Sequence, residues 1–214
     1  MPGAVVVVPV AASTPVTASL RPGGRAEPER RVLTGTPAGA PSSDVRISGQ
    51  MGTVDELLAN NDRYAANFDK GALRASPRRK VAVLACMDAR LDPARALGLE
   101  EGDAHVVRNA GGVATEDAIR SLVISQHLLG TEEVVLLHHT DCGMESFTDD
   151  ELRERLEDQT GVRPGFSFEA FAKAEDDLVQ TAARLQASPF LAHKQIRAFL
   201  YEVETGRLRE VPLP

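Results

Sequence analysis

The sequence predicts an α/β fold, a central mostly parallel β-sheet with helices on its faces. Two observations carry that prediction. Apolar runs of strand length recur at residues 80–85, 104–107 and 133–137, and segments of helical character separate them. Strands laid down in that order, each followed by a helix, pair in parallel through right-handed crossovers. At 214 residues the chain is long enough for one good core.

The first helix is expected over about 53–68, where Thr53-Val54-Asp55-Glu56 has the form of a capping box. Gly71, Ser76 and Pro77 break the chain before the strand at 80–85. Residues 93–97 read as a short helix with Pro93 in its first turn. The second strand, 104–107, leads into the loop Arg108-Asn109-Ala110-Gly111-Gly112. Thr115 then caps a helix in which Ala118, Leu122, Val123, Leu128 and Leu129 recur at helical spacing, with Gly130 as the stop.

After the third strand, Thr148-Asp149-Asp150-Glu151 is a second capping box, opening a polar helix that ends before Gly161. A further helix is expected over 169–186, stopped by Ser188-Pro189. Residues 196–203 alternate, turn at Thr205-Gly206 and return over 208–211 as a hairpin or short edge pair.

Residues 1–50 differ from the rest. They hold seven of the 13 prolines, six of the 17 glycines and no aromatic residue. Such a stretch buries too little to offset the entropy of ordering. It is read as a disordered or mis-assigned N-terminal tail, with Met51 as an alternative initiation point, and residues 51–214 as a single catalytic domain. Val5-Val6-Val7-Val8 is short and has no positive charge before it, unlike a signal peptide. No run approaches the ~18 apolar residues that cross a membrane.

The formal charge is -7, and residues 51–214 carry 19 basic against 28 acidic groups. An acidic body without a basic stripe argues against a nucleic-acid partner. Two cysteines are too few for a disulfide framework, so reduced thiols and a cytoplasmic location are expected.

Those two cysteines sit where chemistry is expected. Cys86 lies in Ala85-Cys86-Met87-Asp88-Ala89-Arg90 after the first strand, and Cys142 in His138-His139-Thr140-Asp141-Cys142-Gly143 after the third. Parallel strands end on one edge, and open α/β sheets bind ligands in the crevice there. Two thiolates and one imidazole form a soft set that favours zinc, and three protein ligands leave a fourth position open, as in catalytic sites. Singly, either cysteine reads as a small buried hydrophobe. A redox disulfide between them would leave the His-x-x-Cys spacing without a role. Spacing alone leaves His138 and His139 as alternatives; strand alternation says only that they point to opposite sides. His105, His127 and His193 lack thiol or acidic company and read as structural. Asp88 and Arg90 read either as a loop ion pair or as a pair in which Arg90 holds Asp88 against the oxygen at the metal.

Taken together, Cys-x-Asp-x-Arg, Arg-Asn-Ala-Gly and His-x-x-Cys-Gly after three successive strands resemble the β-class carbonic anhydrases, over roughly residues 53–212. Ala-Cys-Met-Asp-Ala-Arg with His-Thr-Asp-Cys-Gly-Met is similar to a smaller bacterial subgroup. The resemblance implies one zinc ion per chain on Cys86, His139 and Cys142, and Asp88 with Arg90 as the catalytic pair. It also implies a backbone N–H of Gly143 offered to bound anion. The implied reaction is reversible hydration of carbon dioxide to bicarbonate and a proton through a zinc-bound hydroxide. A homodimer or homotetramer is implied, with the N-terminal helix packing on a partner.

Two resting forms follow from the resemblance: an open one with Asp88 on Arg90, which is expected here, and a closed one with Asp88 as a fourth metal ligand. Some bacterial members have a bicarbonate site that uses a tryptophan; this chain has none, and that regulation is not expected. The motifs do not separate carbon dioxide hydration from hydrolysis of carbonyl sulfide or carbon disulfide on the same scaffold.

Overall fold

In the computed structural model, residues 52–214 are described; the expectations for residues 1–50 and for Met51 lie outside them. Five strands form one sheet in the order β2-β1-β3-β4-β5. They are β1 Val81–Cys86, β2 Ala104–Asn109, β3 Glu133–His139, β4 Gln195–Tyr201 and β5 Leu208–Val211. The first four run parallel, and β5 turns back antiparallel to β4 along the edge. The expected hairpin is therefore present, and its first strand joins the main sheet beside β3. Residues Leu57–Pro214 form one compact unit.

The helices are α1 Thr53–Ala65, α2 Pro93–Leu97, α3 Glu116–Leu129, α4 Asp149–Thr160 and α5 Ala174–Ala187. Most of their ends are set as the sequence implies. Thr115 accepts from the Ala118 N–H, and Gly130, in the left-handed region at φ 75°, closes α3. Thr148 and Glu151 make both bonds of the capping box that opens α4. At α1 the first helical residue is Thr53 itself, and the Asp55 carboxylate accepts from the Gly52 N–H, so the helix opens one residue earlier than a Thr53 cap would place it. It also ends at Ala65, short of residue 68.

The largest departure is α5, which starts at Ala174 and not at 169. Glu169 is left-handed at φ 59°, a conformation no helix contains. The Asp149 carboxylate holds the chain out of helix there, accepting from the Ser167 hydroxyl at 2.7 Å and from the Phe168 and Ala170 N–H groups at 2.9 Å each. Glu145 then accepts from the Ala174 N–H at 2.6 Å, meeting one of the orphan donors of the new helix start.

Alternation along the strands divides the core. Ala82, Leu84, Val134, Leu136, Ala198 and Leu200 face α3 and α5, meeting Leu122, Leu178 and Leu185. Val83, Ala85 and Leu137 point to the other side, toward Leu91 and Met144. Leu128, read as an apolar helix position, is 75% exposed. Among the described residues no helix is long and apolar enough to cross a membrane.

Candidate metal centre

The ends of β1 and β3 lie side by side, with Ala85 level with Leu137 in the register. Each strand delivers its motif to the same edge, and β3 continues through both histidines. Parity then separates them. His138 follows Leu136 to the α5 side, where its Nε2 meets the Asp177 carboxylate at 2.8 Å and its ring stacks on Phe171. His139 follows Leu137 to the opposite side, toward the thiols.

Cys86, His139 and Cys142 are all buried, and one ligand atom from each lies within 4.8 Å of the others. Neither cysteine is in a disulfide. His139 Nδ1 lies 2.9 Å from the Thr140 carbonyl, which can only accept, so that nitrogen carries the proton. The lone pair is left on Nε2, a buried atom with no hydrogen-bond partner. An orphaned nitrogen lone pair aimed at two sulfurs fits a soft cation, since no protein donor answers it.

The electrostatics of the unmetallated trio agree with that fit. The Cys86 thiol is pulled well below the ordinary thiol range, first by its hydrogen bond with Cys142, then by His139 and the Asp88 N–H, against the opposing cost of burial. Cys142 is pushed up by the same shared proton and by burial. The imidazole of His139 is held down by burial, but the Cys86 thiolate and the Thr140 carbonyl outweigh that and raise it. Negative charge thus gathers at one point, and a cation there would displace the remaining proton.

Asp88 stands beside the trio, its Oδ2 3.7 Å from His139 Nε2. Arg90 grips it with Nε at 3.0 Å on Oδ1 and Nη2 at 2.9 Å on Oδ2, and the Arg90 N–H adds a bond of 2.8 Å. Those bonds hold the carboxyl well below the usual carboxylate range. Arg90 also reaches Asp141, with Nη1 at 2.7 Å on the carboxylate and Nη2 at 2.9 Å on the carbonyl. Arg108 steadies the loop after β1, donating to the carbonyls of Cys86 and Asp88 at 3.0 and 2.7 Å.

Above the trio is a cleft of about 320 Å³ walled by Met87, Ala110, Gly111, Gly143, Met144 and Phe147. Gly143 is exposed at its mouth. Gly112 permits the close approach of the second loop, because a Cβ there would lie 2.8 Å from the Cys86 nitrogen. The structure thus brings Cys86, Asp88, Arg90, His139, Cys142 and Gly143 to one edge of the sheet, and sends His138 to the other face. His105 meets Ser125 and the Ala75 carbonyl, and His127 the Phe190 carbonyl, both away from the trio. Sequence reasoning gave no part to Asp141 or Arg108, although both lie inside the quoted motifs. Their bonds join positions 20 to 51 residues apart in sequence and leave no periodic signal.

The family model for carbonic anhydrase matches residues 81–208. The beta-carbonic anhydrase 1 of Mycobacterium tuberculosis is 52% identical over 162 residues, covering 75% of this chain and 99% of the relative. The carbon disulfide hydrolase of Saccharolobus solfataricus is 34% identical over 182 residues, covering 73% and 88%. Among solved structures, a carbonic anhydrase from Streptococcus mutans superposes with TM-score 0.72 at 43% identity, covering 76% of this chain and 99% of that one.

Proposed function

This chain belongs to the β-class carbonic anhydrases, zinc enzymes that hydrate carbon dioxide reversibly, and on that premise we propose which of its residues perform the reaction. Cys86, His139 and Cys142 hold one zinc ion. The observation that carries the assignment is the buried, unpartnered Nε2 of His139 converging with both sulfurs. When bound, the ion supplies the Lewis acidity that lets water give up a proton near neutral pH, a value that two anionic sulfurs raise.

Asp88 sorts what enters. Its carboxyl is ionised at any working pH, so it accepts hydrogen bonds and donates none. It therefore favours an oxygen that carries a proton, turns that oxygen's free lone pair toward substrate, and repels an unprotonated anion. Arg90 keeps Asp88 in that posture and off the metal, the open resting form. The Gly143 N–H is offered to an oxygen of bicarbonate. Met144, Phe147 and Ala110 give carbon dioxide an apolar wall that makes no demand for hydrogen bonds. The proton leaves to buffer through the open mouth.

The enzyme works as a homodimer or homotetramer. α1 has no buried residue, and its Leu57 and Leu58 are 60% and 59% exposed, which suits a helix that packs on a partner. Two unpaired thiols suit a reducing, cytoplasmic setting.

Similarity to carbon disulfide hydrolases supports a second reading, hydrolysis of carbonyl sulfide or carbon disulfide on the same scaffold. The higher identity to a carbonic anhydrase favours carbon dioxide. One preparation assayed for hydration of carbon dioxide and for sulfide release from both sulfur compounds tests the choice. About one zinc per chain with carbon dioxide turnover rising toward alkaline pH is expected; sulfide release without hydration reverses it.

A further inference from the structure

Asp141 stands between two residues of the metal trio and Arg90, and its backbone is left-handed at φ 56°, a region that side chains other than glycine enter at a cost. That conformation accompanies two acceptors from one residue meeting the same guanidinium, the carboxylate on Nη1 at 2.7 Å and the carbonyl on Nη2 at 2.9 Å. Arg90 is thereby used on both sides. Nε and Nη2 hold Asp88, Nη1 and Nη2 hold Asp141, and no guanidinium nitrogen is left over.

The ion pair cannot be there chiefly for folding stability. Asp141 is 80% exposed at its side chain and Arg90 46%, and exposed pairs contribute little. What the pair does fix is position. Arg90 grows from the loop after β1 and could swing with it, whereas Asp141 is tied to the end of β3 between His139 and Cys142. Without that tie the guanidinium is held only by Asp88, two positions away on the same loop, so the two can move together. The Asp88 Oδ2 is already 3.7 Å from His139 Nε2, so a small rotation would carry it to where the three ligand atoms converge.

We propose that Asp141 is a positioning residue, clamping Arg90 so that Asp88 stays off the metal and the fourth position remains open to outside ligands. The inference rests on the zinc-site reading above.

Azide binding to the cobalt(II)-loaded protein, followed by visible absorption at one fixed pH, tests it without turnover. Asp141→Gly keeps the left-handed backbone and its carbonyl while removing the carboxylate. It is expected to weaken azide about tenfold, because Asp88 then competes for the open position. Asp141→Asn, which keeps an acceptor and tolerates the same φ, is expected to stay within about threefold of the parent. Simple electrostatics predicts the opposite sign, since removing a nearby negative charge should tighten an anion. In an Asp88→Asn background the glycine substitution is expected to have no weakening effect.

Unchanged or tighter azide binding by Asp141→Gly, or equal weakening in both backgrounds, overturns the proposal. Failure of the parent protein to take up about one cobalt per chain would instead overturn the metal-site reading, so the two failures are distinct. Should the glycine variant not fold, Asp141→Ser takes its place: azide binding about tenfold weaker than the parent and relieved by Asp88→Asn supports the clamp, and parent-like binding overturns it.

Discussion

His138 and His139 are neighbours in sequence and lie on opposite sides of the sheet, one bonded to Asp177 at 2.8 Å and the other facing two sulfurs. Substituting each therefore has a different consequence. His139→Ala is expected to lose zinc, falling well below one equivalent per chain by elemental analysis, with activity lost in proportion. His138→Gln should keep the metal and lower stability by about 1–3 kcal/mol, because it leaves the buried Asp177 poorly answered. Zinc content and chemical denaturation, measured on both variants, separate the two roles.

Asp88→Asn is expected to retain zinc and lose about 10²-fold in kcat/KM, the scale typical of removing one oriented hydrogen-bonding group. The Asp88 pKa is depressed in the folded protein, first by the Arg90 side chain and then by the Arg90 N–H. The carboxyl thus stays ionised as pH falls through the ordinary carboxylate range. Its own titration should then add no acid limb to the activity profile down to about pH 5. Stopped-flow hydration rates across pH, with metal content checked at each point, decide this.

Gly112→Ala should be severe. The residue is at φ 76°, and the new Cβ would lie 2.8 Å from the Cys86 nitrogen and 3.0 Å from the Ala85 carbonyl carbon. Both are backbone atoms that cannot rotate away. A loss of about 2–4 kcal/mol is expected from strain and overpacking, together with weaker zinc retention under chelator. Thermal melts with and without added zinc would show both.

Asp149→Ala removes the acceptor that gathers Ser167, Phe168 and Ala170. Burial alone would raise the Asp149 pKa, but the Ala170, Ser167 and Phe168 donors outweigh it, and the net shift is downward. A carboxyl depressed on folding stabilises above its unfolded pKa, and that contribution disappears as pH falls through the folded value. The variant is expected to lose about 1–3 kcal/mol at pH 7. The gap from the parent should narrow below about pH 4, where the carboxyl is protonated in the unfolded chain. Urea titrations at pH 7 and at acid pH check the sign.

Much of the fold is local and could be read from residues near one another. The capping box of Thr148 and Glu151, the Thr115 cap and the Gly130 stop are satisfied by atoms within a few positions of each other. The three strand ends that carry the site follow from hydrophobic runs and the geometry of parallel sheets. What escaped was decided at a distance. The start of α5 depends on a carboxylate some twenty positions upstream, and no pattern over 169–186 reveals it. The placing of β4 beside β3 is a pairing choice that alternation within 196–203 does not record. The choice between two histidines was open on spacing, because parity needs the sheet's faces to be known. Asp141 and Arg108 act through bonds to loops that only the folded sheet brings near.

The trio is drawn from two strands whose cysteines are 56 positions apart, with a whole crossover and β2 laid down between them. A nascent chain therefore cannot grip its ion tightly until β3 has left the ribosome and docked against β1. Metal uptake then reports that β1 and β3 have paired in register.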